Sequence, residues 1–206
     1  MERGVGNALT LYAIQRKATI MNNLYNILSQ NTSLFGILET ISNFSSEKLY
    51  MGAGSIAQTV WNYKFNNELA FGITDIDIVY FNNSDLSKYS EQIIIDCLSN
   101  ELIDIPYALD IKNQARVHLW YDQKFGYEIL PASSIEDAIG RWPTTATSIA
   151  VRLDENKDLM IISPFGLEDL FSGTIIANKK QITKEIYDNK AAKWLKLWPQ
   201  LIVIPW

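Results

Sequence analysis

The chain has 206 residues, of which 48% are hydrophobic, and a formal net charge of −5. That length fits one domain, or one domain with a short helical appendage, and the apolar content suffices for a substantial core. The single cysteine, Cys97, excludes a disulfide framework and points to a reducing, cytoplasmic setting. No run approaches the roughly 18 apolar residues that span a bilayer, so no membrane role is expected. The start, Met1 to Thr10, has no hydrophobic signal core, and no continuous Lys/Arg stripe marks a nucleic-acid surface.

No internal repeat, low-complexity tract or Gly/Ser/Pro-rich linker divides the sequence. The expectation is a single domain over 1–206, with 1–45 an N-terminal helical segment and 180–206 a C-terminal helix and tail. Helical spacing places Leu24, Ile27 and Leu28 on one stripe and Leu34, Ile37, Leu38 and Ile41 on another, which predicts two helices. The period then changes. Leu49 to Met51, Thr74 to Phe81, Ala108 to Lys112, Val117 to Trp120, Thr147 to Leu153 and Leu159 to Ile162 read as short strands. Helices are predicted between them at Ile56 to Phe65, Ser90 to Leu102, Ile135 to Gly140 and Leu167 to Phe171, and a last one at Lys180 to Leu197. The mixture predicts an α+β fold, a mixed β-sheet flanked by helices.

The most informative stretch is Gly72-Ile-Thr-Asp75-Ile-Asp77-Ile-Val-Tyr-Phe81. Period two puts Asp75 and Asp77 on one face of a strand, about 6.6 Å apart, a separation from which two carboxylates can chelate one cation or bracket two. Their apolar neighbours predict a central strand, where an uncompensated charge needs a partner or a metal. The ordinary alternative is a solvated face, or pairing with Arg116 or Arg152. Upstream, Met51-Gly-Ala-Gly54-Ser55 follows a short strand and opens a helix, where free backbone N–H groups suit a triphosphate; Ser55 as a simple N-cap is the plain reading. Downstream, Tyr107-Ala-Leu-Asp110-Ile111 carries a third acid, which joins the other two if its strand lies alongside at about 4.8 Å.

A Gly-Ser at a helix start, Asp-x-Asp on a strand and a third Asp on a neighbouring strand resemble the polymerase-beta-like nucleotidyltransferase superfamily. That superfamily includes the CCA-adding enzymes, whose head domain the chain resembles, and the aminoglycoside nucleotidyltransferases. More closely, the chain looks like a family of small bacterial nucleotidyltransferase-like proteins. Carrying the likeness are Gly54-Ser-Ile-Ala-Gln-Thr-Val-Trp61-Asn62, the Gly72–Phe81 stretch, Ala115-Arg-Val-His-Leu-Trp-Tyr121, Trp142-Pro-Thr-Thr-Ala-Thr147 and Pro164-Phe-Gly-Leu-Glu-Asp-Leu-Phe171. They run from about Leu49 to the C-terminus. One departure is the 19 residues between Ser55 and Asp75, longer than the compact superfamily spacing; the loop from Asn62 to Gly72 either shapes the acceptor site or is an insertion.

The resemblance implies a polymerase-beta-like core and a magnesium-dependent transfer, with manganese as the other candidate ion, of a nucleoside monophosphate from a nucleoside triphosphate to a hydroxyl acceptor. Asp75, Asp77 and Asp110 would be the catalytic metal ligands of a two-metal mechanism, and Gly54 and Ser55 would hold the triphosphate. RNA ends, a protein hydroxyl and a small molecule stay open as acceptors. The rival reading is a catalytically inactive nucleotide-binding or regulatory module of the same fold; a plain interaction protein is a third.

Among the remaining residues, Arg116, Arg152 and Thr145 are candidate nucleotide contacts. Each arginine offers a bidentate fork for phosphate or, equally, for a structural ion pair, and the Thr144, Thr145 and Thr147 group suits either a ribose contact or a turn. His118, the only histidine, reads as a packed strand residue rather than a base. Trp61, Trp194 and Trp198 read as core aromatics rather than base-stacking platforms. Lys179, Lys180, Lys184, Lys190, Lys193 and Lys196 make the last helix locally basic and either steer a triphosphate or an RNA backbone or coat a solvated face. The closing Leu201-Ile-Val-Ile-Pro-Trp206 reads as an edge strand or a tail packed on the helices.

Overall fold

A computed structural model of the chain describes residues 22–206; residues 1–21 of the predicted 1–45 helical segment lie outside the described residues. Helical residues 22–30 (α1) and Thr32–Ser42 (α2) open it, with Leu24, Ile27 and Leu28 buried from the first and Leu34, Ile37, Leu38 and Ile41 from the second. Those are the stripes read from the spacing. Asn31 separates the helices by capping α2 through its side-chain oxygen, which accepts the N–H of Leu34 at 3.3 Å.

Five short strands form one sheet in the order β3-β2-β1-β4-β5: Tyr50–Gly52 (β1), Asp75–Tyr80 (β2), Ala108–Asn113 (β3), Ala150–Leu153 (β4) and Leu159–Ile162 (β5). All neighbours are antiparallel except β2 and β3. Parallel neighbours need a crossover, and here it is Lys88–Glu101 (α4), capped by the Ser87 hydroxyl. Helix Ala53–Lys64 (α3) leaves β1 directly. The fold is therefore α+β with a mixed sheet flanked by helices.

Alternation gives the sheet two faces. Met51, Ile76, Ile78, Tyr80, Ile111, Val151 and Leu153 point into the main core under α1 to α4. The other face carries Asp75, Asp77 and Val79 and keeps a smaller apolar cluster of Val79, Ile139 and Ala150 beneath Ile135–Ile139 (α6).

Two predicted strands come out differently. Val117–Leu119 lies in a 3-10 helix, Gln114–Leu119, capped by Trp120, because the Asn113 side chain accepts the N–H of Ala115 and turns the backbone out of the ladder. A short helix, Tyr121–Phe125 (α5), follows it and ends on Gly126 in the left-handed region. The strand predicted from Thr147 begins only at Ala150, because the paired Thr144 and Thr147 hydroxyls, 2.8 Å apart, hold a 3-10 turn over Thr145–Thr147.

Glu168–Ser172 (α7) leads to Thr174–Ile175 (β6), and Lys184–Leu197 (α8) to Ile202–Val203 (β7). The tail is thus an edge strand, parallel to β6 in a small second sheet. Trp61 and Trp198 are fully buried, their ring centroids 5.7 Å apart, and Trp194 closes on Trp61 at 5.6 Å. All three belong to the core rather than to a site. No described helix is long and apolar enough to cross a membrane.

Candidate active site

Strand register assembles the acids. Asp77 stands opposite Asp110 on β3 and opposite Gly52 on β1, and Asp75 opposite Ala108. Because Gly52 ends β1 and α3 begins at Ala53, the same register brings Gly54 and Ser55 to the end of β2 that carries the acids.

The turn into α3 is tight. Ala53 has φ 51°, a left-handed conformation that costs a non-glycine residue of the order of 1 kcal/mol, and its N–H is tied to the carbonyl of Ile149 at 2.9 Å. A Cβ on Gly52 would fall 2.7 Å from the Trp142 ring, so glycine here lets that indole lie against the strand beside Asp77. Ser55 is buried, its hydroxyl donating back to the Gly52 carbonyl at 3.2 Å. No side chain caps α3, which leaves the N–H groups of Gly54 and Ser55 for a ligand.

Electrostatics single out Asp77. Burial lifts its pKa to about 6, with Asp110 and Asp75 adding repulsion against the opposing pull of Lys112 and Lys190. Lys190 reaches the site from α8; burial lowers its pKa, and Asp77 and Asp75 push back. Asp110 is ion-paired to Lys112, and Asp75 accepts the Thr74 hydroxyl at 2.7 Å. As they stand, no three acidic, His or Cys side chains among the described residues converge on a single ion position.

The remaining predicted contacts are not brought to the acids. Arg116 is buried and ion-paired with Glu91 of α4, and its Nε donates to the carbonyl of Leu86 at 2.8 Å, so it ties α4 to the end of β3. Arg152 shares the sheet face of the acids but sits on β4, its guanidinium 5.9 Å from the Tyr50 ring and donating to the carbonyl of Ser42. Thr145 donates its hydroxyl to Asp169 at 2.6 Å, joining the 3-10 turn to α7.

A nucleotidyltransferase family model matches residues 39–203. The chain belongs to that nucleotidyltransferase family. An NMR structure described as revealing a CCA-adding enzyme head domain superposes with a TM-score of 0.69 at 24% identity, over 87% of this chain and 95% of that one. A tRNA-processing enzyme in an apo form reaches a TM-score of 0.50 at 14% identity, over 81% of this chain and 42% of that one. At such identities the likeness is one of fold, and this nucleotidyltransferase spans less than half of the tRNA-processing enzyme. No curated protein matches the sequence.

Beside Asp77 the nucleotidyltransferase has a cavity of about 250 Å³. Its floor is Val79 and Lys112 on the sheet, and its walls come from the 3-10 helix, α5, the segment 129–143 and the start of α8. Tyr121, Phe125 and Trp142 supply aromatic surface, while Trp120 holds Lys112 and Lys124 at 5.9 and 5.7 Å from its ring. The sequence reading did not assign these residues to the site. The one available signal was the clustering of Trp120, Tyr121 and Trp142 inside family-like segments, since aromatics from separate segments reveal a common cavity only once the chain has folded.

Proposed function

We propose that the protein is a divalent-metal-dependent nucleotidyltransferase that moves a nucleoside monophosphate from a nucleoside triphosphate to a hydroxyl acceptor. The observation that carries the reading is the register: Asp77 lies between Asp110 on one side and the Gly52 turn into the uncapped α3 on the other. The donor set is all carboxylate oxygen, which suits magnesium or manganese, and the mutual repulsion of Asp75, Asp77 and Asp110 is of the kind a bound cation removes. Asp75, Asp77 and Asp110 would hold the ions, whose chemistry is to acidify the acceptor hydroxyl and to offset charge on the leaving pyrophosphate.

The chain's own residues supply the rest. Gly54 and Ser55 offer backbone N–H groups, and the α3 dipole, to the triphosphate. Lys190 adds a cation on the opposite wall. Were Asp110 to turn from Lys112 to an ion, Lys112 would be free for phosphate.

That same Asp110–Lys112 pair favours a second reading, a nucleotide-binding module without turnover, if the pair persists when nucleotide is bound. Thermal melting with magnesium and each of the four ribonucleoside triphosphates tests the binding. A shift in the wild type, absent from the Asp75→Asn/Asp77→Asn double variant, is expected, and no shift with any nucleotide rejects the reading. Pyrophosphate release in the presence of candidate acceptors then separates enzyme from module.

A further inference from the structure

The cavity beside Asp77 has features that a metal site alone does not require. His118 lines it, and His118 Nδ1 is buried with no hydrogen-bond partner among the described residues. Gln114, also in the lining, is buried, and its side-chain amide makes no hydrogen bond among the described residues. The buried, unpaired His118 Nδ1 costs of the order of 1–3 kcal/mol, a cost that a ligand supplying the partner removes. The aromatic surface of Tyr121, Phe125 and Trp142 suits a planar ring, because stacking on a π-face contributes about 1–3 kcal/mol per base.

We propose that this cavity takes the nucleobase and ribose of the triphosphate, and that His118 and Gln114 read the base so that one of the four is preferred. The inference rests on the nucleotide reading above and adds where the nucleoside lies and what selects it. Position supports it: the lining begins at Ala53, one residue before the Gly54–Ser55 seat, and includes Asp77, so a nucleoside attached to a triphosphate on α3 enters the cavity directly. Charge supports it too. Lys124 and Lys190 line the cavity and form no ion pair among the described residues, which leaves them for phosphate oxygens. Size limits the occupant, since about 250 Å³ lies just under the roughly 300–1,000 Å³ of drug-sized pockets and fits one nucleoside rather than a polynucleotide. Selectivity follows from the polar atoms, because a site built to hydrogen-bond one edge leaves those atoms unpaired with any other.

Calorimetric titration of the full chain with magnesium and, in turn, ATP, GTP, CTP, UTP and inorganic tripolyphosphate tests the proposal. The expected result is one nucleotide binding at least tenfold more tightly than tripolyphosphate, with a spread of at least tenfold across the four bases. His118→Ala and Gln114→Ala should compress that spread while sparing tripolyphosphate. Ala132→Trp, which fills the cavity from a half-exposed position, should bring the preferred nucleotide down to the tripolyphosphate level. Equal binding of all four nucleotides and tripolyphosphate overturns the base pocket and leaves the nucleotide site standing. Binding of neither overturns both.

Discussion

Asp77 illustrates how a single side chain can oppose the fold that holds it. In the metal-free protein its pKa is raised to about 6 against an ordinary 3.8, so the folded state keeps a proton that the unfolded chain has released. The stabilising contribution is complete below pH 3.8 and is lost as pH rises through 6. Melting in EDTA should therefore show stability declining over that window, Asp77→Asn should flatten the decline, and magnesium should restore wild-type stability at neutral pH. A wild-type profile that is flat from pH 4 to pH 7 in EDTA would contradict the assignment. Gly52 makes a second residue-scale case. Gly52→Ala puts a methyl into the Trp142 indole, which must shift away from Asp77. We expect a stability loss of about 1–3 kcal/mol in urea melts together with weakened nucleotide binding. This glycine is legible only as a small residue in the sequence, because the indole it makes room for lies 90 positions away.

Elements carry the next level of the argument, and the long approach to β2 is the clearest example. Asn62, buried on α3, donates to the carbonyls of Leu69 and Phe71 at 3.1 and 2.8 Å and accepts the Trp198 indole N–H at 2.7 Å. Asn31 adds a bond to the Leu69 carbonyl. The segment from Asn62 to Gly72 is therefore fastened to α3 and to the end of α8, and it delivers Thr74 and Asp75 to the sheet. Asn62→Ala should cost about 3 kcal/mol in denaturant melts, since three partners lose a buried bond; a loss below about 1 kcal/mol would mean that the loop is held by its apolar contacts instead. Strand β2 itself was readable, because apolar alternation around two acids has few other solutions. Val117–Trp120 reads as a strand by its apolar alternation, yet the Asn113 side chain, not that pattern, decides where β3 ends.

At the scale of the whole molecule, the site is closed by parts distant in sequence. Helix α8 contributes Ile186 and Lys190 to the cavity, Ile182 joins them from the segment just before it, and the anchorage of α8 is the small β6–β7 sheet. The Tyr187 hydroxyl, with one proton to donate, lies within hydrogen-bond distance of the carbonyls of Ile175 on β6 and of Ile204 just past β7, at 2.9 and 2.6 Å, and ties the helix to that small sheet. Tyr187→Phe should lower stability by about 1 kcal/mol and weaken nucleotide binding, although Tyr187 is not in the cavity lining; undiminished binding would show that α8 is seated by its apolar contacts alone. By itself, the sequence determined the type of most long elements, the two-faced sheet, the Asp-x-Asp pair and the family likeness, because these depend on local periodicity and on motifs a few residues long. Only the tertiary structure decided that Arg116, Arg152 and Thr145 bond to Glu91, Ser42 and Asp169, and that Lys190, His118 and the aromatics of two separate segments share one cavity. Pairing among charges and packing among rings depend on which chain segments meet in space, and neither is encoded in the spacing along any one of them.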